Sequence, residues 1–504
     1  MQFPPPQQMK LAILGFGREG KSVFKFLRRM KALRGDEVWI LDRNPKIKIP
    51  KGARGVTGKN YLKNLLGFDV IFRSPGIPYN LPELRRARKN GVVFSSATKL
   101  FFANCPAQVI GITGTKGKGT TATILYNILK KAGEDVFLAG NIGTPALDLL
   151  PKIATSDKRP AEGEARQGWQ AASEPIVILE LSSFQLQDLE VSPHIAVVLE
   201  IFPDHLDAHA NLKEYYGAKA NIAAHQKSKD TIFYFKHDKL SRWIGEKSMG
   251  KKIPIDLSFS NSRELENEIR KVISIPGEHN FKNAAMAAIV ALKIGVSRQA
   301  ILQAIKNFKG NEHRLELVRT IGNIRFYNDS ASTNPHTTAA AIRAFQSHGS
   351  GVGGQESGVK NSMIHDSCPG TQILIAGGRD KVRNYAPLVD AIKKYPPKLI
   401  VLMGENKNKI RKAIMSQGSM VKGQVKIEIT KNLREAVRYA YRYAMTNDSY
   451  PITHIIFSPG ATSFDMFANY AERGREFKKI VKLLTRKRFN TTEKGGPARN
   501  IVRA

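Results

Sequence analysis

The clearest chemical signature in the sequence lies at residues 113–121, which read T-G-T-K-G-K-G-T-T. Glycines let backbone N–H groups approach phosphate oxygens, and a lysine among them, here Lys118, can neutralise the β- and γ-phosphates of a nucleotide. The segment follows an apolar strand and leads into a helix, as a phosphate-binding loop requires. It differs from the strict P-loop pattern because Gly119 stands where a hydroxyl residue should follow the lysine. Thr120 or Thr121 must therefore supply any hydroxyl ligand of Mg²⁺, and the sequence leaves both open.

Polar residues that could hold a metal or a polar substrate follow two later apolar strands. Glu180 ends the first of them, at the edge where parallel strands present ligands, and a carboxylate there can hold Mg²⁺. His205 follows the second strand in F-P-D-H-L-D-A-H, where a structural histidine in a turn is an equally good interpretation. Lys219 lies on a predicted helix, and taken alone it would ordinarily be an exposed helix lysine. Taken alone, Glu180 would more often be a solvated loop acid.

A second glycine-rich turn, residues 15–20, reads G-F-G-R-E-G between a predicted strand and a predicted helix. Asp42 ends the next strand, which is the arrangement of a dinucleotide-binding site. The underlying chemistry is the approach of backbone amides to a diphosphate at a helix N-terminus, and a UDP-sugar carries a diphosphate as well. A dinucleotide site, a UDP-sugar site and a tight turn without a ligand all remain open on this segment alone.

These candidate residues stand at strand ends in three sections that alternate strand-like and helix-like segments, a pattern typical of α/β domains. We predict an α/β protein of three domains, with a Rossmann-like domain at residues 1–104, a P-loop ATPase-like parallel-sheet domain at 105–311, a second Rossmann-like domain at 312–490 and a basic tail at 491–504. The predicted strands are residues 11–14, 38–41, 70–72, 92–94, 108–113, 136–138, 176–179, 195–199, 231–235, 324–327, 372–376, 399–403 and 454–457.

Composition narrows the class of protein. The 504 residues include 79 Lys and Arg against 43 Asp and Glu, a net charge of +36, which suggests nucleic-acid binding. The basic residues are spread along the chain, however, so a proteome-wide basic bias together with some attraction for anionic substrates explains the charge better. No apolar run approaches the roughly 20 residues of a membrane-spanning helix. The sequence has two cysteines, Cys105 and Cys368, which is too few for disulfides to stabilise a chain of this length. We therefore expect a reducing, cytoplasmic setting.

Two stretches have the composition of insertions. Residues 154–174 and 347–371 are rich in Gly, Ser, Ala and charged residues and have no hydrophobic periodicity. Such segments cannot bury enough apolar surface to form a core, so we expect mobile surface loops there.

Taken together, the motifs resemble those of the Mur ligase family over nearly the whole chain and in the same order. Besides the phosphate loop, the matching segments are S-P-G-I at 74–77, G-N-I-G at 140–143, E-L-S-S-F-Q-L at 180–186, P-D-H-L-D-A-H at 203–209, A-K at 218–219, G-E-H-N at 277–280, H-R-L-E at 313–316, N-D-S at 328–330, A-G-G-R-D-K at 376–381 and S-P-G-A-T-S-F-D at 458–465. The strings E-L-S-S-F-Q-L and S-F-D-x-F are those of the family member that uses D-glutamate.

The resemblance implies an ATP-dependent ligase that adds D-glutamate to UDP-N-acetylmuramoyl-L-alanine through an acyl phosphate, in the cytoplasmic synthesis of peptidoglycan precursors. It implies ATP and Mg²⁺ as cofactors, a first domain that binds the UDP-linked substrate, a central domain that binds ATP and a third that binds the amino acid. We expect a monomer without nucleic-acid partners or membrane insertion, whose third domain closes when ATP binds.

The resemblance also assigns roles to individual residues. Those assigned to the UDP-linked substrate are Gly15, Gly17, Arg18, Glu19, Asp42, Ser74, Pro75, Gly76, Asn141, Ser183, Gln185 and His205. Those assigned to ATP are Gly114, Thr115, Lys116, Gly117, Lys118, Gly119, Thr120, Thr121, Asn280, Arg314 and Asp329. Those assigned to D-glutamate are Thr333, Lys381, Ser463 and Tyr470. Lys118, Glu180, His205 and Lys219 are the expected catalytic residues, and the expected metal ligands are Thr120, Glu180, His205 and Lys219, the lysine that the family carbamylates.

One departure from the family pattern bears on activity. The family commonly has N-D-S-K-A-T-N, whereas this chain has Ala331 in place of the lysine. One positive contact near the reacting groups is therefore missing, which leaves an inactive relative as one alternative. The others are a sibling ligase with another amino acid, an NAD-dependent oxidoreductase that uses residues 15–20, and a basic nucleic-acid-binding ATPase.

Overall fold

The computed structural model describes residues 9–30, 36–140, 144–156, 174–203, 209–257, 263–275, 277–345, 371–379, 384–416, 425–446, 452–463 and 465–485. The chain divides into two compact units, residues 1–309 and 310–504. Most of the two predicted insertions and all of the basic tail lie outside the described residues. Over the part that is described, none of the helices has both the length and the apolar character needed to span a bilayer.

The first unit begins with a five-stranded parallel sheet in the order β3-β2-β1-β4-β5. Its central strands are apolar runs buried on both faces, as expected for parallel strands covered by helices. The strands are β1 Lys10–Leu14, β2 Glu37–Asp42, β3 Arg54–Thr57, β4 Val70–Arg73 and β5 Val93–Ser95, and the helices are α1 Arg18–Arg29, α2 Pro82–Lys89 and α3 Ala97–Asn104.

The same unit continues with a six-stranded parallel sheet in the order β11-β10-β9-β6-β8-β7. The strands are β6 Gln108–Thr113, β7 Val136–Gly140, β8 Ile176–Glu180, β9 Ile195–Val198, β10 Thr231–Phe235 and β11 Lys251–Ile255. The helices are α4 Lys118–Lys131, α5 Ala146–Ala154, α6 Ser183–Leu186, α7 Leu212–Ala224, α8 Lys239–Gly245, α9 Arg263–Val272, α10 Glu278–Ile294 and α11 Arg298–Asn307.

The second unit contains a six-stranded sheet in the order β12-β13-β17-β14-β15-β16, in which only the β12–β13 pair is antiparallel. The strands are β12 Glu316–Ile321, β13 Ile324–Asn328, β14 Thr371–Ala376, β15 Leu399–Leu402, β16 Lys426–Ile429 and β17 Thr453–Phe457. The helices are α12 Pro335–Ala344, α13 Ala386–Lys394, α14 Lys407–Met415, α15 Leu433–Thr446 and α16 Tyr470–Lys482.

The three sheets confirm the predicted α/β fold class, and every predicted strand is present within one residue or two of its expected bounds. Four strands were not predicted, namely β3, β11, β12 and β16. All four lie at sheet edges and alternate exposed or half-buried residues with few buried ones, so they lack the continuous apolar run that marks a buried parallel strand. The predicted domain boundaries remain predictions.

Candidate active site

The first glycine turn is braced from two sides by its own unit. Gly15 has a φ of +88°, and its carbonyl accepts a hydrogen bond of 2.6 Å from the Ser74 hydroxyl. Asp42 accepts a hydrogen bond of 2.6 Å from the backbone N–H of Phe16. A Cβ at Gly20 would lie 2.1 Å from the Gly15 oxygen, so the helix can approach the turn only because that position is glycine. Asp42 and Ser74 therefore shape the turn, and their contact with a UDP-linked substrate remains a prediction.

Helix α1 begins at this turn with backbone amides that no N-cap side chain caps in the described part of the chain. Its N-cap residue is Gly17, which has open space around it. Uncapped N–H groups and the helix dipole together favour an anion at such a terminus. The geometry is compatible with a diphosphate but does not by itself distinguish a UDP-sugar from a dinucleotide.

Side chains from this turn contact the loops of the second sheet. Arg18 donates a hydrogen bond of 2.7 Å to the carbonyl of Gly140, and Gln185 donates one of 2.7 Å to Glu19. Burial raises the pKa of Glu19, while the hydrogen bond from Gln185 and the charge of Arg18 act in the opposite direction. Three residues predicted for the UDP-linked substrate, Arg18, Glu19 and Gln185, are thus brought together.

A buried ion pair, which the sequence analysis did not identify, reinforces this junction. Arg73 at the end of β4 lies 3.3 Å from Asp188, and the two side chains are 1% and 5% exposed. Arg73 also donates hydrogen bonds to the carbonyls of Ile77 and Phe184. An arginine with several donors in a rigid fork can satisfy acceptors from both sheets at once.

The phosphate loop between β6 and α4 has the backbone that its glycines predict. Gly114 and Gly117 have φ angles of +157° and +83°, and Gly117 is the N-cap of α4 without a side-chain cap. A Cβ at Gly117 would lie 2.2 Å from the Asn283 amide oxygen of α10. The Lys118 ammonium donates hydrogen bonds of 3.0 and 3.1 Å to the carbonyls of Gly114 and Thr115, so it lies across the loop.

The hydroxyl groups of this loop differ in what they contact. Thr115 bonds the backbone of Phe202 and the Tyr215 hydroxyl, each at 3.0 Å, so its side chain holds the loop against α7. Thr121 is fully buried, whereas Thr120 is half-buried in the first turn of α4. Accessibility therefore favours Thr120 as the hydroxyl that an ion could reach.

Lys219 on α7 is 1% exposed, and the interpretation of it as an exposed helix lysine is wrong. Its ammonium donates a hydrogen bond of 2.8 Å to the Gly114 carbonyl, the same oxygen that accepts from Lys118. The Tyr215 ring centroid lies 4.9 Å from the Lys219 nitrogen. Two cationic groups from distant parts of the sequence are thereby gathered on one carbonyl of the phosphate loop.

Glu180 lies beside this loop because β8 pairs with β6 in a register that sets it opposite Ile112. Its side chain is 6% exposed, and among the described residues its Oε2 atom has no hydrogen-bond partner. A buried carboxylate oxygen without a partner is costly unless a cation or a donor approaches it. The interpretation of Glu180 as a solvated loop acid is therefore wrong, and the site offers a hard oxygen ligand.

The segment after Glu180 is held by a pair of local contacts. Ser182 and Gln185 form a capping box at the start of α6. The next hydroxyl, that of Ser183, lies 2.9 Å from the Nε2 atom of His209, whose ring stacks on Phe184 at a centroid distance of 5.0 Å. His209 orients Ser183, a role that the sequence analysis did not assign, although the motif that contains this histidine was recognised.

Helix α10 carries two buried asparagines, one of which contacts the phosphate loop. Asn280 is 7% exposed and Asn283 is 6% exposed, and Asn283 is the residue that contacts Gly117. The predicted contact of Asn280 with ATP is compatible with its position at the N-terminus of α10 and remains a prediction.

In the second unit, strained backbone presents Arg314 to solvent. His313 and Leu315 have φ angles of +65° and +45°, values that non-glycine residues adopt at a cost of roughly 1–3 kcal/mol each. Both of these side chains are buried, whereas Arg314 between them is exposed. The strain orients an arginine outward, as a phosphate contact would require.

Asp329 follows β13 and is buried. Its carboxylate accepts hydrogen bonds from the hydroxyls of Ser332 and Ser458 at 2.5 and 2.7 Å and from the backbone N–H of Leu315 at 3.2 Å. Burial raises its pKa to about 6, against the opposing effect of these bonds and of Arg314. Asp329 braces the segment that carries Arg314, and its contact with ribose remains a prediction.

The residues predicted for D-glutamate lie on three segments of the second unit. Thr333 is half-buried before α12, Ser463 is 2% exposed after β17, and Tyr470 is 46% exposed at the start of α16. Among the predicted site residues, Asn141, His205 and Lys381 lie outside the described residues.

The chain is similar to known proteins over most of its length. The chain matches the model of the Mur ligase middle domain at residues 112–291 and that of the Mur ligase MurD-like N-terminal domain at residues 9–95. A UDP-N-acetylmuramoylalanine–D-glutamate ligase of Acetivibrio thermocellus is 35% identical over 500 residues, covering 94% of this chain and 96% of that protein. One from Clostridium botulinum is 32% identical over 496 residues, covering 94% and 97%.

Solved structures share the fold at much lower identity. MurF from Acinetobacter baumannii has a TM-score of 0.53 at 15% identity, covering 95% of both chains. A Mycobacterium tuberculosis folylpolyglutamate synthase complexed with ADP has a TM-score of 0.51 at 13% identity, covering 76% of this chain and 93% of that one.

Proposed function

The chain belongs to the Mur ligase family of ATP-dependent, amide-bond-forming enzymes, and on this premise we propose that it adds D-glutamate to UDP-N-acetylmuramoyl-L-alanine. The observation that carries the proposal is the phosphate loop. Lys118 and Lys219 converge on its Gly114 carbonyl, and Glu180 lies beside it with a buried oxygen, Oε2, that has no hydrogen-bond partner among the described residues. Curated UDP-N-acetylmuramoylalanine–D-glutamate ligases share 32–35% of their residues with this chain over nearly their full length, which supports D-glutamate as the amino acid. Synthesis of a cytoplasmic peptidoglycan precursor by a monomer is part of the same proposal.

The proposed reaction has two stages. The carboxylate of UDP-N-acetylmuramoyl-L-alanine attacks the γ-phosphate of ATP, which gives an acyl phosphate and ADP. The D-glutamate amine then attacks the acyl carbon, loses a proton and displaces inorganic phosphate as the amide forms. The backbone amides of the phosphate loop bind the phosphates, and Lys118 offsets the negative charge on the transferred group.

The residues around the phosphate loop fit a magnesium ion. Glu180 supplies a buried carboxylate oxygen that has no hydrogen-bond partner in the described ranges, and Thr120 supplies the more accessible hydroxyl. Both are hard oxygen ligands, which Mg²⁺ prefers. His205 and a carbamylated Lys219 belong to the same proposed ligand set. When bound, the ion would neutralise charge on the nucleotide phosphates. Among the described residues no group of three or more His, Cys, Asp or Glu forms a metal cluster, so the proposal depends on ligands from the substrate and from His205.

The remaining assignments divide by ligand. We assign the uncapped start of α1, with Arg18, Glu19, Ser183 and Gln185, to the UDP-linked substrate, and Asn280, Arg314 and Asp329 to ATP. Thr333, Lys381, Ser463 and Tyr470 are assigned to D-glutamate, where Lys381 is a natural partner for a substrate carboxylate.

The test is phosphate release from ATP and Mg²⁺ with UDP-N-acetylmuramoyl-L-alanine, with D-glutamate present or omitted. We expect release to require D-glutamate, because the acyl phosphate is consumed only by the amine. Lys118→Ala is expected to lower kcat by about 100-fold or more, since it removes a charge that acts on the transferred phosphoryl group. Lys131→Ala, at the other end of α4, is the control and is expected to retain activity.

Three results would redirect the assignment. Release that depends on another amino acid would identify a sibling ligase. Release without any amino acid but stimulated by RNA or DNA would favour a nucleic-acid-binding ATPase. No release with any amino acid, from protein that is folded and binds ATP, would point to an inactive relative and to Ala331 and Gly119 as the cause.

A further inference from the structure

Arg473 on α16 is a fully buried arginine that connects three separate segments of the second unit. Its Nε and Nη2 atoms donate hydrogen bonds of 3.1 and 2.9 Å to the hydroxyl and the carbonyl of Ser330. Its Nη1 atom donates one of 3.0 Å to the carbonyl of Ala461. The Ser330 hydroxyl in turn donates a hydrogen bond of 2.7 Å to the carbonyl of Tyr470. Four hydrogen bonds therefore join the ends of β13, β17 and α16.

The partners of this guanidinium are neutral. Among the described ion pairs, none brings a carboxylate within 4.0 Å of Arg473, although Asp465 and Asp329 are close enough to favour its charged form. Burial lowers the pKa of Arg473 to about 10, so the side chain remains charged at neutral pH. A buried charge without a direct partner is costly. Its retention is explained by the rigid planar fork, which reaches acceptors on two segments at once.

The connected segments are the ones that carry the proposed amino-acid site. Ser330 lies three residues before Thr333, and Ala461 lies two residues before Ser463. Tyr470 is held directly through its carbonyl. A change of spacing among these segments would alter the relative positions of Thr333, Ser463 and Tyr470 without touching the substrate.

We propose that Arg473 is the positioning residue of the amino-acid site, which fixes Thr333, Ser463 and Tyr470 relative to one another. This inference rests on the proposed function, in which those three residues contact D-glutamate. It goes beyond that function because the spacing of the three substrate-binding residues is assigned to Arg473, which does not itself contact the substrate.

The decisive variant is Arg473→Lys, which keeps the charge but cannot serve the same acceptors in one planar arrangement. We expect KM for D-glutamate to rise by about 10-fold or more, since small displacements of positioned groups have large effects. KM for UDP-N-acetylmuramoyl-L-alanine is expected to stay within about twofold, because the residues assigned to it lie in the other unit. A purely structural role would instead lower the active fraction, and so kcat, with all KM values unchanged.

Two further variants make the result specific. Ser330→Ala removes the hydroxyl that links Arg473 to Tyr470, and we expect it to raise KM for D-glutamate in the same sense but by less. It decides the question if Arg473→Lys fails to fold, as judged by its thermal unfolding. Arg475→Lys, at an exposed position on the same helix, is the matched control and should leave every KM unchanged.

The outcomes separate this proposal from the function on which it rests. If the unmodified protein shows no phosphate release that depends on D-glutamate, the proposed function fails. If the unmodified protein is active but folded Arg473→Lys keeps its KM for D-glutamate, or Ser330→Ala does where Arg473→Lys does not fold, the positioning role is overturned and the function stands. Equal rises in KM for D-glutamate and for the UDP-linked substrate would also overturn it.

Discussion

At the scale of single residues, the gathering of two lysines on one carbonyl needs an explanation. Lys118 and Lys219 both donate to the Gly114 oxygen, and Lys219 is almost completely buried. Like charges held close together out of water disfavour each other, so this arrangement favours the approach of anions. The phosphates of a nucleotide are one such anion, and conversion of Lys219 to a carbamate would be another. Both fit the proposed ligase and neither fits an oxidoreductase centred on residues 15–20.

Asp329 yields a prediction about pH, because burial raises its pKa to about 6. An unfolded aspartate has a pKa of about 3.9, so between pH 4 and 6 the folded protein retains a proton that the unfolded chain has lost. Stability therefore falls as pH rises through this window, by about 3 kcal/mol for this group. The Asp329→Asn variant has no titrating group at this position and should not lose this stability. The difference in free energy of unfolding, variant minus unmodified protein, should therefore increase by about 3 kcal/mol between pH 4 and 7.

The measurement is urea unfolding of both proteins across this range of pH. Asp390→Asn, at an exposed position on α13, serves as the control and should follow the unmodified protein. If the free energies of unfolding of Asp329→Asn and of the unmodified protein change in parallel with pH, Asp329 is ionised in the folded state throughout this range. That outcome would fit an ionised carboxylate that accepts hydrogen bonds, as a ribose contact requires.

At the scale of elements, the phosphate loop depends on a close approach between α4 and α10. Gly117 and Gly133 flank α4 with φ angles of +83° and +85°. A Cβ at Gly117 would collide with the Asn283 side chain, whereas a Cβ at Gly133 would meet no described atom within 4 Å. Alanine at either position should cost roughly 1–2 kcal/mol for the left-handed backbone. Gly117→Ala should be more destabilising than Gly133→Ala and should also raise KM for ATP, because its Cβ would displace α10 from the loop.

Thermal unfolding and ATP kinetics of the two variants test this, with Asn283→Ala added to each. In the Gly117→Ala background, Asn283→Ala should recover part of the loss, since it removes the atom that the new Cβ meets. It should recover nothing in the Gly133→Ala background. Equal effects of the two glycine substitutions would mean that backbone strain alone matters and that Asn283 is not a constraint.

The elements also show what could be predicted from the sequence. Buried parallel strands such as β6 are continuous apolar runs, so their positions were predicted almost to the residue. The motifs placed Glu180 at the end of β8 and Lys118 in the phosphate-loop motif that follows β6. The edge strands β3, β11, β12 and β16 were missed because their half-exposed residues form no such apolar run, whereas the edge strands β5 and β7 were predicted. Local sequence patterns could not predict that Lys219 is buried or that Arg73 and Arg473 connect separate segments. Each of these three residues makes a contact with a residue more than 100 positions away.

At the scale of the whole molecule, the net charge of +36 has to be reconciled with small-molecule chemistry. A strongly positive protein attracts anions over distances set by the Debye length, about 10 Å at 0.1 M salt and about 3 Å at 1 M. The proposed substrates differ in charge, since ATP and the UDP-linked substrate carry several negative charges and D-glutamate carries a net single one. The charge can therefore act as a general electrostatic attraction for the nucleotide substrates.

This reasoning predicts a salt dependence that differs among the substrates. Between about 0.05 and 0.5 M KCl, kcat/KM for ATP and for UDP-N-acetylmuramoyl-L-alanine should fall several-fold, whereas kcat/KM for D-glutamate should fall less. Steady-state phosphate release at fixed Mg²⁺ measures this salt dependence. The same assay with added RNA and DNA tests whether the charge serves nucleic-acid binding instead. Equal salt dependence for all three substrates would remove electrostatic attraction as the role of the charge. Stimulation of phosphate release by RNA or DNA would instead favour nucleic-acid binding, because neutralisation of a polyphosphate backbone is the other physical use of so large a basic excess.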